Sequence, residues 1–122
     1  MWALVLSMAG CSEKSMTFDI GEASKIELCS GTDGTVIEIT DAEAIKHITD
    51  NINTLAFSRG DSSKDHAGWS YSLKWYDSEQ TLMEELVVMS EDQIDYKGYF
   101  YSETDPDREI DLAYFDSLLS EG

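Results

Sequence analysis

Hydrophobic and polar residues alternate along most of this chain, which is the pattern of β-strands with one buried face. Two such stretches, 25–29 and 35–39, flank Gly31-Thr32-Asp33-Gly34, whose residues tolerate the positive φ angles of tight turns. The pattern therefore predicts a β-hairpin, with its isoleucine and leucine side chains facing inward.

A second group of strands is predicted in the C-terminal half. Residues 69–76 alternate so that Trp69, Tyr71, Leu73 and Trp75 share one face. In the return strand, 81–89, the neighbours Glu84 and Glu85 point to opposite faces unless a bulge intervenes, so one carboxylate faces inward. Lys97-Gly98 predicts another tight hairpin turn. The remaining strands are predicted at 16–20, 55–58, 94–96 and 99–101.

Helical periodicity occurs in two places. Ile45, Ile48 and Ile52 form one apolar stripe, and Thr40-Asp41-Ala42-Glu43 before them has the spacing of a capping box with Thr40 as the cap. This helix should end at about 51–53. A second helix is predicted to start at Asp105-Pro106, with Asp as cap and Pro in the first turn. Its apolar residues are Ile110, Ala113 or Tyr114, Phe115, Leu118 and Leu119.

These elements predict an α+β fold in a single domain over 16–122. The expected order is β-β-β-α-β-β-β-β-β-α. Consecutive strands joined by tight turns favour an antiparallel sheet, here of about five to seven strands. The two helices must bury their apolar stripes, so we expect both to pack on the sheet.

The first residues follow another pattern. An apolar run over 2–6 leads to Met8-Ala9-Gly10-Cys11 and then to polar residues 12–15, which resembles the end of a bacterial lipoprotein signal. The resemblance implies a signal segment over 1–10, a diacylglycerol on Cys11, a short tether over 11–15, and a location on the extracytoplasmic face of the cell membrane. Two acyl chains anchor firmly where one is marginal. No Lys or Arg precedes the apolar run, and the alternative is an apolar strand or helix that joins the core.

The body of the chain also has a family likeness. The hairpin, the ITDAEAIKHITDNINTL helix, GWSYSLKWYD, and IDYKGYFY before a terminal helix resemble small lipoproteins of Gram-positive, Firmicutes-type gut bacteria. The likeness covers most of 16–119 and contains no catalytic motif. It implies a location and a fold rather than an activity.

The charge balance limits the possible partners. The chain has 8 Lys and Arg against 25 Asp and Glu, a net charge of −17, and the basic residues are scattered along the sequence. Without a basic stripe, nucleic acid is an unfavourable partner, and an anionic membrane surface should repel the domain. If Cys11 is lipidated, Cys29 is left as a lone thiol, which is typical of a small buried or half-buried residue.

Candidate chemistry is sparse. The chain has no G-x-S-x-G, H-E-x-x-H, P-loop or G-x-G-x-x-G motif. His47 is expected to be exposed, four residues after Glu43 and suited to pair with it. His66 lies near Asp61 and Asp65 in a predicted polar loop, 59–68, but the loop lacks EF-hand spacing. We therefore expect no metal, no cofactor and no catalytic residue, and a small hydrolase using carboxylates near this loop is the less favoured possibility.

The aromatic residues are the remaining candidates for a site. They either stabilise the sheet through cross-strand pairs or form a contact surface, for which tyrosine is well suited. The favoured function is a lipid-anchored binding domain for a protein, a peptide or a cell-wall glycan. The alternative is an inhibitor or regulatory subunit of another surface protein, whose acidic face docks a basic partner. The candidate surface residues are Trp69, Tyr71, Trp75, Tyr96, Tyr99 and Tyr101.

Overall fold

The computed structural model describes residues 15–64 and 68–121, and these form an eight-stranded antiparallel sheet with two helices. The order β-β-β-α-β-β-β-β-β-α confirms the α+β prediction, with more strands than expected. The strands are β1 (Ser15–Thr17), β2 (Lys25–Ser30), β3 (Val36–Ile39), β4 (Ala56–Ser62), β5 (Tyr71–Tyr76), β6 (Leu82–Ser90), β7 (Gln93–Tyr96) and β8 (Tyr99–Glu103). The helices are α1 (Ala42–Asn53) and α2 (Leu112–Glu121).

The sheet has the order β1-β4-β8-β7-β6-β5-β2-β3. Both helices pack on the same face, because Trp75 of β5 bonds Thr49 of α1 while Tyr71 of β5 packs against Phe115 of α2. Residues i and i+2 of a strand share a face, so the core lies on this side of the sheet. No described helix covers the opposite face. The largest fully buried side chains are Trp75, Phe57, Phe115, Ile26, Leu28, Ile48, Ile52, Leu55, Leu73, Leu86, Ile94 and Ile110.

Two predictions about side-chain direction are confirmed. Tyr71, Leu73 and Trp75 share the core face of β5, as alternation requires. Glu84 pairs with Trp75 across the β5–β6 ladder and therefore points to the core side, while Glu85 is exposed. The ladder shifts register just beyond this pair, which is the bulge that lets Met83 also pack towards the core.

The helix starts differ from the prediction. Asp41, not Thr40, caps α1, because its carboxylate accepts a hydrogen bond from the Ala44 N–H at 3.0 Å. The second helix begins at Leu112 rather than at Asp105. The Asp105 side chain accepts from the Asp107 N–H at 2.9 Å, so it forms a local turn that competes with helix initiation.

Two strands also have different limits. β4 continues to Ser62 through residues assigned to a polar loop, because β8 pairs with it along this stretch. β1 covers Ser15–Thr17 only, and it includes the last residue of the predicted tether. No helix among the described residues is long and apolar enough to cross a bilayer. The predicted signal segment, Cys11 and His66 lie outside the described residues.

Candidate binding site

The β7–β8 hairpin brings three tyrosines onto one face of the sheet. Lys97 and Gly98 have φ angles of 50° and 92°, the left-handed values of a two-residue hairpin turn. Tyr96 therefore pairs with Tyr99, and Ile94 pairs with Tyr101. Residues opposite each other in a ladder share a face, so all three tyrosines lie on the side of the buried Ile94.

Tyr96 is held by its surroundings. Its ring meets that of Phe18 edge to face at 5.1 Å and that of Tyr101 at 6.3 Å. Its hydroxyl donates to Glu84 Oε2 at 2.8 Å, and the same oxygen accepts from the Glu85 N–H at 3.1 Å. Burial, followed by the hydrogen bond and the charge of Glu84, raises the pKa of Tyr96 to about 12. Tyr96 is therefore a neutral, fixed part of the surface at physiological pH.

Two cations lie over these rings. Lys97 Nζ is 5.3 Å from the centroid of Tyr96, and the Arg59 guanidinium is 4.7 Å from the centroid of Tyr99. Arg59 reaches this position because it pairs with Tyr101 in the β4–β8 ladder. We call the five residues, which are Tyr96, Tyr99, Tyr101, Arg59 and Lys97, the tyrosine–cation patch. Tyr99 is 39% exposed and is its most accessible ring.

The cations of the patch have no carboxylate partner in the described part of the chain. There, the Lys and Arg side chains in ion pairs are Lys25, Lys46, Lys74 and Arg108. Arg59, Lys64 and Lys97 make no such pair with a described residue. The backbone at Lys64 lies near the β7–β8 turn, because the Ser63 N–H donates to the Gly98 carbonyl at 2.9 Å. A molecule with a net charge of −17 thus places three basic residues at one end of its sheet, with Asp61 and Asp95 on the same strands.

A groove adjoins the patch. β6 pairs with β7 only through residues 87–90, so its first half lacks a strand on that side among the described residues. The space there has a volume of about 450 Å³ and is open to solvent. Leu82 and Met83 contribute apolar surface to it, Glu84, Glu85 and Asp95 contribute carboxylates, and it reaches the patch at Tyr96 and Lys97. A ligand on the patch could extend along the edge of β6 with its apolar surface on Leu82 and Met83 and any negative charge turned away from the carboxylates.

The other predicted aromatic residues lie elsewhere. Trp75 is fully buried and donates its indole N–H to Thr49 at 3.0 Å, so it must be removed from the candidate surface. Tyr71 is half-buried, and its hydroxyl donates to Asp116; burial and this carboxylate raise its pKa to about 12. Trp69 is exposed, but it lies away from the patch. Its neighbour Ser70 donates its N–H to the Val88 carbonyl near the start of β7, whereas Tyr96 lies at the end of β7. The predicted six-residue surface thus reduces to Tyr96, Tyr99 and Tyr101.

Sequence reasoning missed the cations. Arg59 and Lys97 are far apart in the chain, and only the pairing of β4 with β8 brings them together. The one local signal was Lys97 beside Gly98, because a hairpin turn exposes its side chains at the sheet end. Arg59 is the first residue of the predicted polar loop 59–68, but the chemistry expected of that loop was that of its carboxylates and His66 rather than of its cations.

The remaining candidates do not assemble a reactive centre in the described residues. His47 pairs with Asp111 at 2.9 Å and stacks on Tyr114, so its predicted pairing with Glu43 is wrong. Cys29 is half-buried on the face without helices, and its Sγ is 3.8 Å from the Ser30 carbonyl oxygen. Within 15–64 and 68–121, no three His, Cys, Asp or Glu side chains come together as metal ligands.

Comparison of the chain with protein-family models, curated proteins and solved structures finds no match. The chemistry of the site itself indicates what it can bind. A guanidinium offers a planar pair of donors to a carboxylate or phosphate, and a lysine offers a point charge. Tyrosine rings add flat apolar surface with a hydroxyl at the edge.

Proposed function

We propose that this protein is a binding domain, held by a lipidated Cys11 on the extracytoplasmic face of a membrane, and that its tyrosine–cation patch binds an acidic glycan. The observation that carries the proposal is the placement of Arg59 and Lys97 over Tyr99 and Tyr96 without a described carboxylate partner. Two cations without a carboxylate partner among the described residues, beside the exposed ring of Tyr99 and the half-buried ring of Tyr96, suit a ligand that combines negative charge with flat, weakly polar surface.

The shape of the site favours a chain-like ligand. The groove beside β6 is shallow and continuous with the patch, so it would accept several sugar units in a row rather than enclose one small molecule. Carboxylates or phosphates of the glycan would meet Arg59 and Lys97. The sugar rings would lie against Tyr99, Leu82 and Met83, with the acidic groups turned away from the carboxylates that also line the groove.

The position of Ser15, where the described chain begins, suits a ligand near the membrane. Ser15 pairs with Ser58, directly beside Arg59, so the described chain begins at the same end of the sheet as the patch. Residues 11–14 can span at most about 14 Å when extended. A lipid on Cys11 would thus keep the patch close to the membrane surface and to polymers that lie there.

The test for the ligand is calorimetric titration with an oligogalacturonate and with its methyl ester, in which a neutral ester replaces each carboxylate. We expect the charged oligomer to bind and the ester to bind at least about tenfold more weakly, since two charge-assisted contacts are lost. Equal binding of the two, or no binding of either, would contradict the proposal. Binding only to vesicles containing anionic lipid would make the patch a headgroup site and would also overturn the glycan assignment.

The matched variants separate a local site from the overall charge. The double substitution Arg59→Gln/Lys97→Gln should weaken binding of the charged oligomer about tenfold, at about 0.7 kcal/mol for each exposed contact. The control Lys46→Gln/Arg108→Gln removes the same residue types and the same charge from other parts of the surface. It should bind like the unmodified protein, and equal weakening in both variants would mean that no specific site exists.

The anchor is tested separately by the intact mass of the protein purified from its native membrane. A chain that begins at Cys11 and carries the mass of a diacylglycerol is the expected result. An unmodified N-terminus upstream of Cys11 would remove the membrane from the proposal and leave the patch untouched.

A further inference from the structure

A second groove lies at the β3 edge of the sheet. β3 is the last strand in the sheet order, and no described strand pairs with its outer edge. Between this strand, the start of α1 and the length of α2 is an open groove of about 720 Å³. It is separated from the tyrosine–cation patch by most of the width of the sheet, because the patch is built on β4, β8 and β7.

The backbone of β3 is available along this edge. The Ser30 N–H donates to the Thr35 carbonyl at 2.8 Å, which fixes the residues whose backbone groups face β2. Since these directions alternate along a strand, Ile37 and Ile39 also bond towards β2. The N–H and C=O groups of Val36 and Glu38 therefore point away from the sheet. An incoming strand could pair with both residues without disturbing the existing ladder.

The floor of the groove is apolar. Ile37 is half-buried at the edge, and Leu118 of α2 is half-buried across from it; both pack against the core. Ala44 and Tyr114 complete this surface. Val36, at the start of the strand, is 52% exposed. Every second side chain of an added strand would thus meet apolar surface.

The rim of the groove is acidic. Asp41 and Glu121 line it, and the lining contains no Lys or Arg. The pKa of Tyr114 is raised, first by burial and then by the negative charges of Asp41, Glu121, Glu43 and Asp111. Lys25, which pairs with Glu38, lies on the other face of the sheet. The side chains around this groove therefore favour a positively charged occupant.

We propose that an extended segment of another protein, with Lys or Arg placed among apolar residues, binds here as an added strand on β3. The open backbone provides the hydrogen bonds, the apolar floor takes alternate side chains, and the carboxylates select basic residues. A second copy of this chain is an unfavourable occupant, because its β3 edge carries the same carboxylates, Glu38 and Asp41, and the whole molecule the same net charge of −17. This site is independent of the glycan proposal.

The test uses a short capped peptide of alternating valine and lysine, followed by backbone amide NMR of the full chain. We expect shifts confined to β3, the start of α1 and α2, with binding that weakens as salt is added. The control peptide has glutamate in place of lysine and should not bind. Shifts located outside this groove, or equal binding of both peptides, would overturn the proposal.

Two variants test the two parts of the interaction. Val36→Pro removes an N–H that faces away from β2, and proline is tolerated at the start of an edge strand. It should weaken peptide binding about tenfold, whereas the control Val36→Thr keeps the N–H and should not. Unchanged affinity in a folded Val36→Pro protein would exclude strand addition.

The charge variant is Asp41→Asn/Glu121→Gln, in which asparagine preserves the helix cap. Its expected effect is about fivefold weaker peptide binding with a smaller salt dependence. Asp19→Asn/Glu79→Gln changes the net charge equally at exposed positions outside the groove and should leave the affinity unchanged. If both variants weaken binding alike, only the total charge matters and the groove is not the site.

Discussion

Gly31 shows how closely two loops can pack at the end of the sheet. A Cβ at this position would lie 2.1 Å from the Trp69 carbonyl oxygen, and the Gly31 N–H donates to the Ser70 carbonyl at 2.7 Å. Neither backbone can yield without breaking this contact. We therefore expect Gly31→Ala to lower the free energy of unfolding by about 1–3 kcal/mol, measured by urea denaturation.

The matched control for this substitution is Gly21→Ala. Its added Cβ would meet only Met83 Cε, at 4.0 Å, and its φ angle is not in the left-handed region. We expect no loss of stability there and a small gain if the unfolded chain becomes less flexible. Equal losses in the two variants would show that the contact between Gly31 and Trp69 is not tight.

The tyrosine hydroxyls give a prediction that depends on pH. Tyr96 and Tyr71 both have pKa values raised to about 12, so they stay neutral in the folded protein after an unfolded tyrosine ionises near pH 10. Their contribution to stability is complete below about pH 10 and is lost as the pH rises towards about 12. Titration by tyrosinate absorbance, with unfolding measured in parallel, should show late ionisation and falling stability over this interval.

The substitution Glu84→Gln separates the two causes at Tyr96. Removal of the carboxylate should lower the pKa of Tyr96 while leaving burial in place, and it should not affect Tyr71, whose partner is Asp116. A titration curve that does not change on this substitution would mean that Glu84 does not hold the Tyr96 hydroxyl.

At the residue scale, the sequence predicts the sheet face on which a side chain lies better than it predicts whether that side chain is exposed to solvent. Alternation correctly placed Tyr71 and Trp75 on one face, and the adjacent glutamates correctly required one to turn inward. It could not tell that α1 and α2 would cover Trp75 and Tyr71 and leave Tyr99 exposed. Coverage is decided by elements distant in sequence, and that information is absent from a local pattern.

At the scale of elements, the start of α1 is a direct test of helix capping. Asp41→Ala removes the side-chain oxygen that accepts from the Ala44 N–H, and it should destabilise the protein by about 1 kcal/mol. Thr40→Ala should cost much less, since Thr40 lies outside the cap. Circular dichroism during thermal unfolding measures both, and the reverse order would restore Thr40 as the cap.

The elements themselves were largely predictable, whereas their limits were not. The hairpin over 25–39 and the first helix follow from strong local periodicity. The sequence predicts too short a β4. Residues 59–62 carry no apolar alternation, and their strand structure depends on pairing with β8. The sequence predicts too early a start for the second helix, because an Asp-Pro pair suits both a helix start and a turn. The helix begins after Asp111, whose side chain accepts from the Tyr114 N–H at 3.3 Å.

At the scale of the whole molecule, the distribution of charge matters more than its sum. The net charge of −17 predicts an acidic surface, and the groove beside β3 agrees with it. The same total conceals the cationic end at Arg59, Lys64 and Lys97. Sheet order creates both features, because it brings the cations together on β4 and the β7–β8 hairpin and leaves β3 with its acidic groove at one edge. Counts of charged residues could not predict this separation.

The most direct test of the proposed function is a titration of the isotopically labelled full chain with oligogalacturonate, followed by backbone amide NMR. We predict concentration-dependent shifts in the hairpin over 93–103, at Arg59 and along 82–86, with β3 and α2 unchanged. The Arg59→Gln/Lys97→Gln protein should lose these shifts. Shifts spread evenly over the surface, shifts located at the β3 groove, or none at millimolar ligand would contradict the assignment of the tyrosine–cation patch as the binding site.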